Sequence, residues 1–191
     1  KFINAGQTCI APDYLLVHSS VKKQLISDLK KEIISAYGDN PQESPDYPRI
    51  INTKNLSRLT SMLEDSKVIF GGHIDTTDCY LAPTLIEEPS LDSNVMKEEI
   101  FGPILPILSY TSEADISTIV SKYEKPLGFY VFSTNKLFYK KMIKTYSFGG
   151  GTINDTMIHF ANTNLPFGGV GESGVGAYHG QLGFDTFSHK K

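Results

Sequence analysis

Val21, Leu25, Leu29 and Ile33 recur every four positions among charged and polar residues. That spacing draws one apolar stripe down an α-helix. Ser19 or Ser20 stands just ahead of it, where a hydroxyl can cap the first turn. Tyr14–Val17, just before, is a short apolar run and reads as a strand. Prolines at 41, 45 and 48 make Gly38–Pro48 a loop. Asn52 or Thr53 opens a second helix with Leu56, Leu59 and Leu63 on one face. Val68–Phe70 is a strand closed by Gly71-Gly72. Residues 73–103 carry the weakest periodicity, with Leu81–Ile86 extended inside them. Ile104–Tyr110 is a strand, and Ser112 caps a helix carrying Ile116, Ile119, Val120 and Tyr123. Gly128–Ser133, rich in aromatic and β-branched residues, is another strand. Asn135 caps a helix with Phe138, Met142, Ile143 and Tyr146, and Gly149–Asn154 returns as a strand.

Alternation of this kind predicts an α/β fold, a largely parallel twisted sheet with helices on both faces. Functional loops then gather at the carboxyl ends of the strands. From Asn162 onward the chain is rich in glycine and ends in Phe184–Ser188, which reads as an edge strand. Gly169-Val-Gly171-Glu-Ser-Gly174 matches the Gly-x-Gly-x-x-Gly fingerprint, but a dinucleotide site must follow a strand and open a helix. The polar, proline-containing stretch 162–167 ahead of it argues against that. These glycines are expected to let a loop pack tightly against the segment around Cys9.

Composition narrows the function classes. The 191 residues are 40% apolar and 20% charged, with net charge −3 and no basic cluster, which excludes a nucleic-acid surface. No apolar run approaches the roughly 18–20 residues that span a bilayer. Two cysteines without regular spacing exclude a disulfide framework and a zinc site, and the five histidines have no metal-ligand spacing. No metal is expected, and cytoplasmic localisation is.

The chemistry centres on Cys9, in Phe2-Ile3-Asn4-Ala5-Gly6-Gln7-Thr8-Cys9-Ile10-Ala11. A thiol becomes a useful nucleophile when a sharp turn presents it and backbone N–H groups can receive developing negative charge. Gly6 can supply that turn. The residues alone leave open that Cys9 is a buried small hydrophobe instead. Cys79 reads as a structural or surface thiol.

Phe-x-Asn-x-Gly-Gln-x-Cys resembles the active-site cysteine segment of the aldehyde dehydrogenase superfamily. Glu98-Glu99-Ile100-Phe101-Gly102-Pro103 and Leu165-Pro-Phe167-Gly-Gly-Val-Gly-Glu-Ser-Gly174 resemble two further segments of it, in the same order. Gln7–Tyr14, Ser44–Tyr47 with Arg49–Asn52, Pro166–Gly171, Ser173–Gly180 and Phe184–His189 resemble the class 3 branch, which includes fatty aldehyde dehydrogenases.

The resemblance implies the C-terminal, catalytic-domain part of a longer enzyme that uses NAD or NADP. Residues 1–161 would carry the nucleophile, and 162–191 the glycine-rich loop and an oligomerisation strand. The dinucleotide-binding domain, the general base and a second oxyanion donor would lie in an N-terminal part that this chain lacks. Cys9 would attack the aldehyde, giving a thiohemiacetal and then a thioester. Glu99 would accept hydrogen bonds from the nicotinamide-ribose hydroxyls, and Phe101 would pack near the nicotinamide. Met157, Phe160, Ala161 and Phe167 would line an apolar aldehyde tunnel, suited to medium- or long-chain or aromatic aldehydes. The resemblance also implies a homodimer joined through Phe184–Ser188. An acylating enzyme that passes the acyl group to coenzyme A or phosphate, and a non-catalytic assembly module, are the alternatives. The intact Cys9 and Glu99 segments weigh against the second.

Overall fold

Described for residues 1–189 and 191 in a computed structural model, the chain sorts into two units, Lys1–Val120 and Ser121–Lys191. In the first, β1 (Leu15–His18) leads into α1 (Lys22–Tyr37) and then α2 (Thr53–Ser61). Strands β2 (Val68–Phe70), β3 (Ile74–Asp75), β4 (Tyr80–Leu81), β5 (Thr84–Glu87) and β6 (Ile104–Tyr110) follow, and α3 (Glu113–Val120) closes the unit. The sheet runs β1-β6-β5-β2, with β6 parallel to both β1 and β5 and β2 antiparallel at the edge. β3 and β4 form a separate antiparallel pair. The parallel-rich α/β architecture that the alternation predicts is the one observed.

Burial explains why these segments choose this arrangement. Leu85, Leu105 and Ile107 pack with Val17 and with Leu25, Leu29 and Ile33 of α1. Ile86, Ile104 and Leu108, on the alternate face of the strands, are buried as well. A sheet covered on both faces wants near-continuous apolar strands, which is what Ile104–Leu108 supplies. Each fully buried aliphatic side chain contributes about 1.5–3 kcal/mol. Pro106 interrupts the run without ending the strand, although proline usually avoids a strand paired on both sides.

The caps divide into those the sequence foresaw and one it did not. The Asn52 side chain accepts from Asn55 N–H, and Ser112 and Asp115 exchange side chain–backbone bonds at the start of α3. Neither Ser19 nor Ser20 caps α1. Its N-cap is Val21, half exposed, while Ser20 Oγ pairs with His18 Nδ1 at 2.7 Å. A local side-chain partner has taken the hydroxyl.

The second unit holds β7 (Gly128–Val131), α4 (Lys136–Thr145) and β8 (Gly150–Ile153), the two strands parallel. Asn135 caps α4 by accepting from Leu137 and Phe138 N–H. A single helical turn, α5 (Ile158–Ala161), follows β8. The Gly169–Gly174 run opens no α-helix. It makes a 3-10 turn, Gly171–Ser173, beyond an antiparallel bridge between Phe167 and Tyr178. A side chain at Gly169 would meet the main chain of Ser173 and Gly174 within this loop.

The predicted strand Phe184–Ser188 is not a strand. It falls in α6 (Gly180–Thr186) and the turn after it. Gln181 bonds Asp185 four residues on at 2.9 Å, and Thr186 Oγ1 donates to the Leu182 carbonyl at 2.8 Å. Strand preference in Phe, Thr and Phe is a preference for a pleated, half-buried neighbour. Local helical bonds win, and Phe184 and Phe187 are left exposed. No helix among the described residues is long and apolar enough to cross a membrane.

Candidate active site

Cys9 is exposed, and the next residue, Ile10, is buried. A buried small hydrophobe is therefore not its role. The turn that presents it is built over three residues. Asn4, Ala5 and Gly6 all take left-handed conformations, with φ of 53°, 50° and 71°. Glycine does this freely and asparagine fairly often, while alanine pays about 1–2 kcal/mol. Surrounding bonds hold the strained turn. Asn4 Nδ2 donates to the Gln7 carbonyl and Gln7 Nε2 donates back to the Asn4 carbonyl. Gln7 also donates to the Arg49 carbonyl at 3.1 Å and accepts from Ile51 N–H at 3.0 Å, tying the turn to a distant loop. Ala5 is fully buried beneath it. Among the described residues, nothing hydrogen-bonds the Cys9 thiol, and its backbone N–H has no protein acceptor.

The Glu99 segment lies directly against this turn. A Cβ placed on Gly6 would sit 2.6 Å from the Gly102 carbonyl carbon, so the two backbones meet with no room for a side chain. Gly102 in turn faces the methyl groups of Leu59 on α2. Ile100 is wholly buried, while Glu99 and Phe101 on either side of it are exposed. Phe101 has φ +44°, left-handed and unusual for a large side chain.

Charge crowds this corner. Asp13 Oδ1 accepts from Ile100 N–H at 3.0 Å, and Lys1 Nζ lies 3.9 Å from the same carboxylate. Burial first, then the Asp13 charge, pushes the Glu99 carboxyl up, against the pull of Lys1 and Arg58. Burial also raises Asp13, opposed first by Lys1. Burial lowers the Lys1 ammonium to about 8. Neither carboxylate oxygen of Glu99 accepts a hydrogen bond among the described residues. A half-open carboxylate with both oxygens available is a good receiver for a vicinal diol, and an exposed aromatic ring beside it offers a flat apolar face.

Met157, Phe160, Ala161 and Phe167 belong to the second unit. Phe167 is buried there, 5.0 Å edge-to-face from Phe160 and packed near Tyr178 and His179. Phe160 and Ala161 are exposed, and Met157 sits left-handed ahead of α5 with φ 63°. The first unit thus packs the turn before Cys9 against the segment of Glu99 and Phe101, and the second gathers the four apolar residues around one short helix and its following loop. Sequence reasoning missed three residues that build the first group. Gln7 and Asp13 stood in quoted segments without a role, and Arg58 gave no signal beyond a polar position on α2.

The family model described as "Aldehyde dehydrogenase family" matches residues 1–191. The chain is 53% identical to 4,4'-diaponeurosporen-aldehyde dehydrogenase of Staphylococcus aureus, with all of the chain and 42% of that protein covered. It is 49% identical to aldehyde dehydrogenase family 3 member A2 of Mus musculus, covering 100% of the chain and 40% of the relative. The solved structure of the substrate-bound state of Staphylococcus aureus AldH superposes with a TM-score of 0.97 at 52% identity, over the whole chain and 42% of that structure. The chain therefore spans about two fifths of the length of these relatives.

Proposed function

Because the chain belongs to the aldehyde dehydrogenase family, we propose that it carries the nucleophile of an NAD- or NADP-dependent enzyme oxidising apolar aldehydes to carboxylic acids. The observation that supports this most is the strained turn that exposes Cys9 with its backbone packed on the Glu99–Gly102 segment. The Cys9 thiolate adds to the aldehyde carbon, a C–S bond forms, and the carbonyl π pair moves onto oxygen. The Cys9 N–H, without a protein acceptor among the described residues, is the chain's own donor to that oxyanion. A nicotinamide cofactor, when bound, supplies the two-electron acceptor that turns the Cys9 thiohemiacetal into a thioester. Glu99 would hold ribose hydroxyls and Phe101 would pack beside the ring. Hydrolysis of the thioester returns the thiol and a carboxylate.

Met157, Phe160, Ala161 and Phe167 are proposed to line the aldehyde path. Their apolar character favours medium- or long-chain or aromatic substrates. By role, residues 1–161 are the nucleophile-bearing part and 162–191 the glycine-rich loop. A homodimer, if it uses the C-terminal segment, would have to engage the exposed Phe184 and Phe187 of a helix and its cap.

The test is to trap the intermediate. The intact enzyme is incubated with aldehyde and cofactor, quenched in acid and digested. The peptide containing Cys9 should carry the mass of the acyl group. Repeated quenching during turnover without any acyl mass on that peptide would refute the proposal. A second expectation concerns the 191-residue chain alone. Mixed with aldehyde and NAD, it should form no NADH at an enzymatic rate, since no side chain among its described residues is hydrogen-bonded to Cys9 to act as base. NADH formation at such a rate would show that the chain is self-sufficient.

A further inference from the structure

We propose that Asp13 and Arg58 form a two-sided clamp on the Ile100 peptide that positions Glu99 for the cofactor, a role that rests on the reading of Glu99 given above. Three bonds make the clamp. Asp13 Oδ1 accepts from Ile100 N–H at 3.0 Å. Arg58 Nη2 donates to the Ile100 carbonyl at 2.6 Å, and Nη1 donates to the Glu99 carbonyl at 3.2 Å. Nη1 also reaches Glu98 Oε1 at 3.4 Å. The guanidinium fork thus spans two successive carbonyls, which a single ammonium head cannot do.

The need for a clamp follows from where Glu99 lies. Residues 98–102, between the 3-10 turn Asn94–Met96 and β6, belong to no strand, and the nearest ladder bond, from Thr84 N–H, reaches only the Pro103 carbonyl. It must also keep Phe101 at φ +44°, which persists only where neighbours over-determine the conformation. Charge-assisted bonds, about twice as strong as neutral ones, take the place of the ladder. The buried Ile100 side chain adds an apolar anchor between two exposed functional groups. The two jaws come from different elements. Asp13 follows Cys9 by four residues, and Arg58 projects from α2. The clamp therefore ties the carboxylate's backbone to the nucleophile's own segment.

Two readouts test it. In the intact enzyme, hydrogen–deuterium exchange at the Ile100 amide should quicken about tenfold or more in Asp13→Ala. It should stay slow in Asp13→Asn, whose amide oxygen can still accept. In the intact enzyme, Asp13→Ala and Arg58→Gln should each raise the KM for NAD or NADP about tenfold, with the aldehyde KM little changed. Arg58→Lys should recover part of that loss. A merely structural role would lower thermal stability and leave the cofactor KM of the folded molecules alone. Glu99→Gln serves as the reference arm. If it weakens the cofactor while both clamp variants leave the KM unchanged, the clamp is wrong and Glu99 keeps its role. If Glu99→Gln changes nothing, the reading of Glu99 itself fails. Should Arg58→Gln not fold, the exchange rates of the two Asp13 variants decide, and equal Ile100 rates in wild type and Asp13→Ala overturn the clamp.

Discussion

Serine in place of Cys9 is expected to lower kcat of the intact enzyme about 10⁴-fold or more. The two side chains differ by one atom and fit the same turn, so the loss should be chemical. A hydroxyl carries almost no anion near neutrality, whereas a free thiol is already a few per cent thiolate at pH 7. Among the described residues, no side chain is bonded to position 9 that could draw off the hydroxyl proton. The backbone N–H of residue 9, the proposed oxyanion donor, survives the substitution, so aldehyde and cofactor KM should move little. Cys79→Ser is the control. Cys79 is half-buried on the hairpin side of the first unit and has no part in the proposed chemistry, so its activity should match wild type. Steady-state NADH formation reads both variants. A Cys9→Ser enzyme within about tenfold of wild type would remove Cys9 from the nucleophile role.

Alanine in place of Gly6 is expected to destabilise the chain by about 2–4 kcal/mol, seen as a lower urea midpoint with an unchanged slope. Two costs add. Residue 6 has φ +71°, and an L side chain there costs about 1–2 kcal/mol. The new Cβ would also run into the Gly102 carbonyl, main chain that cannot rotate out of the way. Gly176→Ala separates the terms, because φ there is +78° but no atom lies within 4 Å of an added Cβ. It should show the conformational cost alone, about 1–2 kcal/mol. Equal losses at the two positions would mean that the Gly6–Gly102 approach carries no energy. In the intact enzyme Gly6→Ala should also slow turnover, since relieving the collision shifts the turn before Cys9 or the segment that carries Glu99.

Elements with strong local signals were legible. The apolar run gave Ile104–Tyr110 its bounds, Asn135 caps the helix it was expected to cap, and of Asn52 and Thr53 it is Asn52 that caps α2. The hairpin Ile74–Leu81 was not legible, because each of its strands is two residues long and leaves no periodicity to read. Nor was the fate of Phe184–Ser188, where a strand-like composition met helix-forming bonds at i and i+4. Gly6 was expected to make the turn before Cys9, but the left-handed run of Asn4 and Ala5 was not. Alanine gives no hint of such a conformation, which survives only because Gln7 and the Arg49–Ile51 loop hold it.

The sequence by itself determined the α/β class, the caps of α2, α3 and α4, and the identity and order of the chemical groups, since each rests on side-chain type or on neighbours within a turn or two. The tertiary structure alone decided how those groups meet. Asp13 finds Ile100 across 87 residues of chain, and Arg58 finds it across 42. Gly6 matters because Gly102 lies against it. Such contacts depend on chain closure and on the core that fixes α2 and the sheet, and no local pattern encodes them.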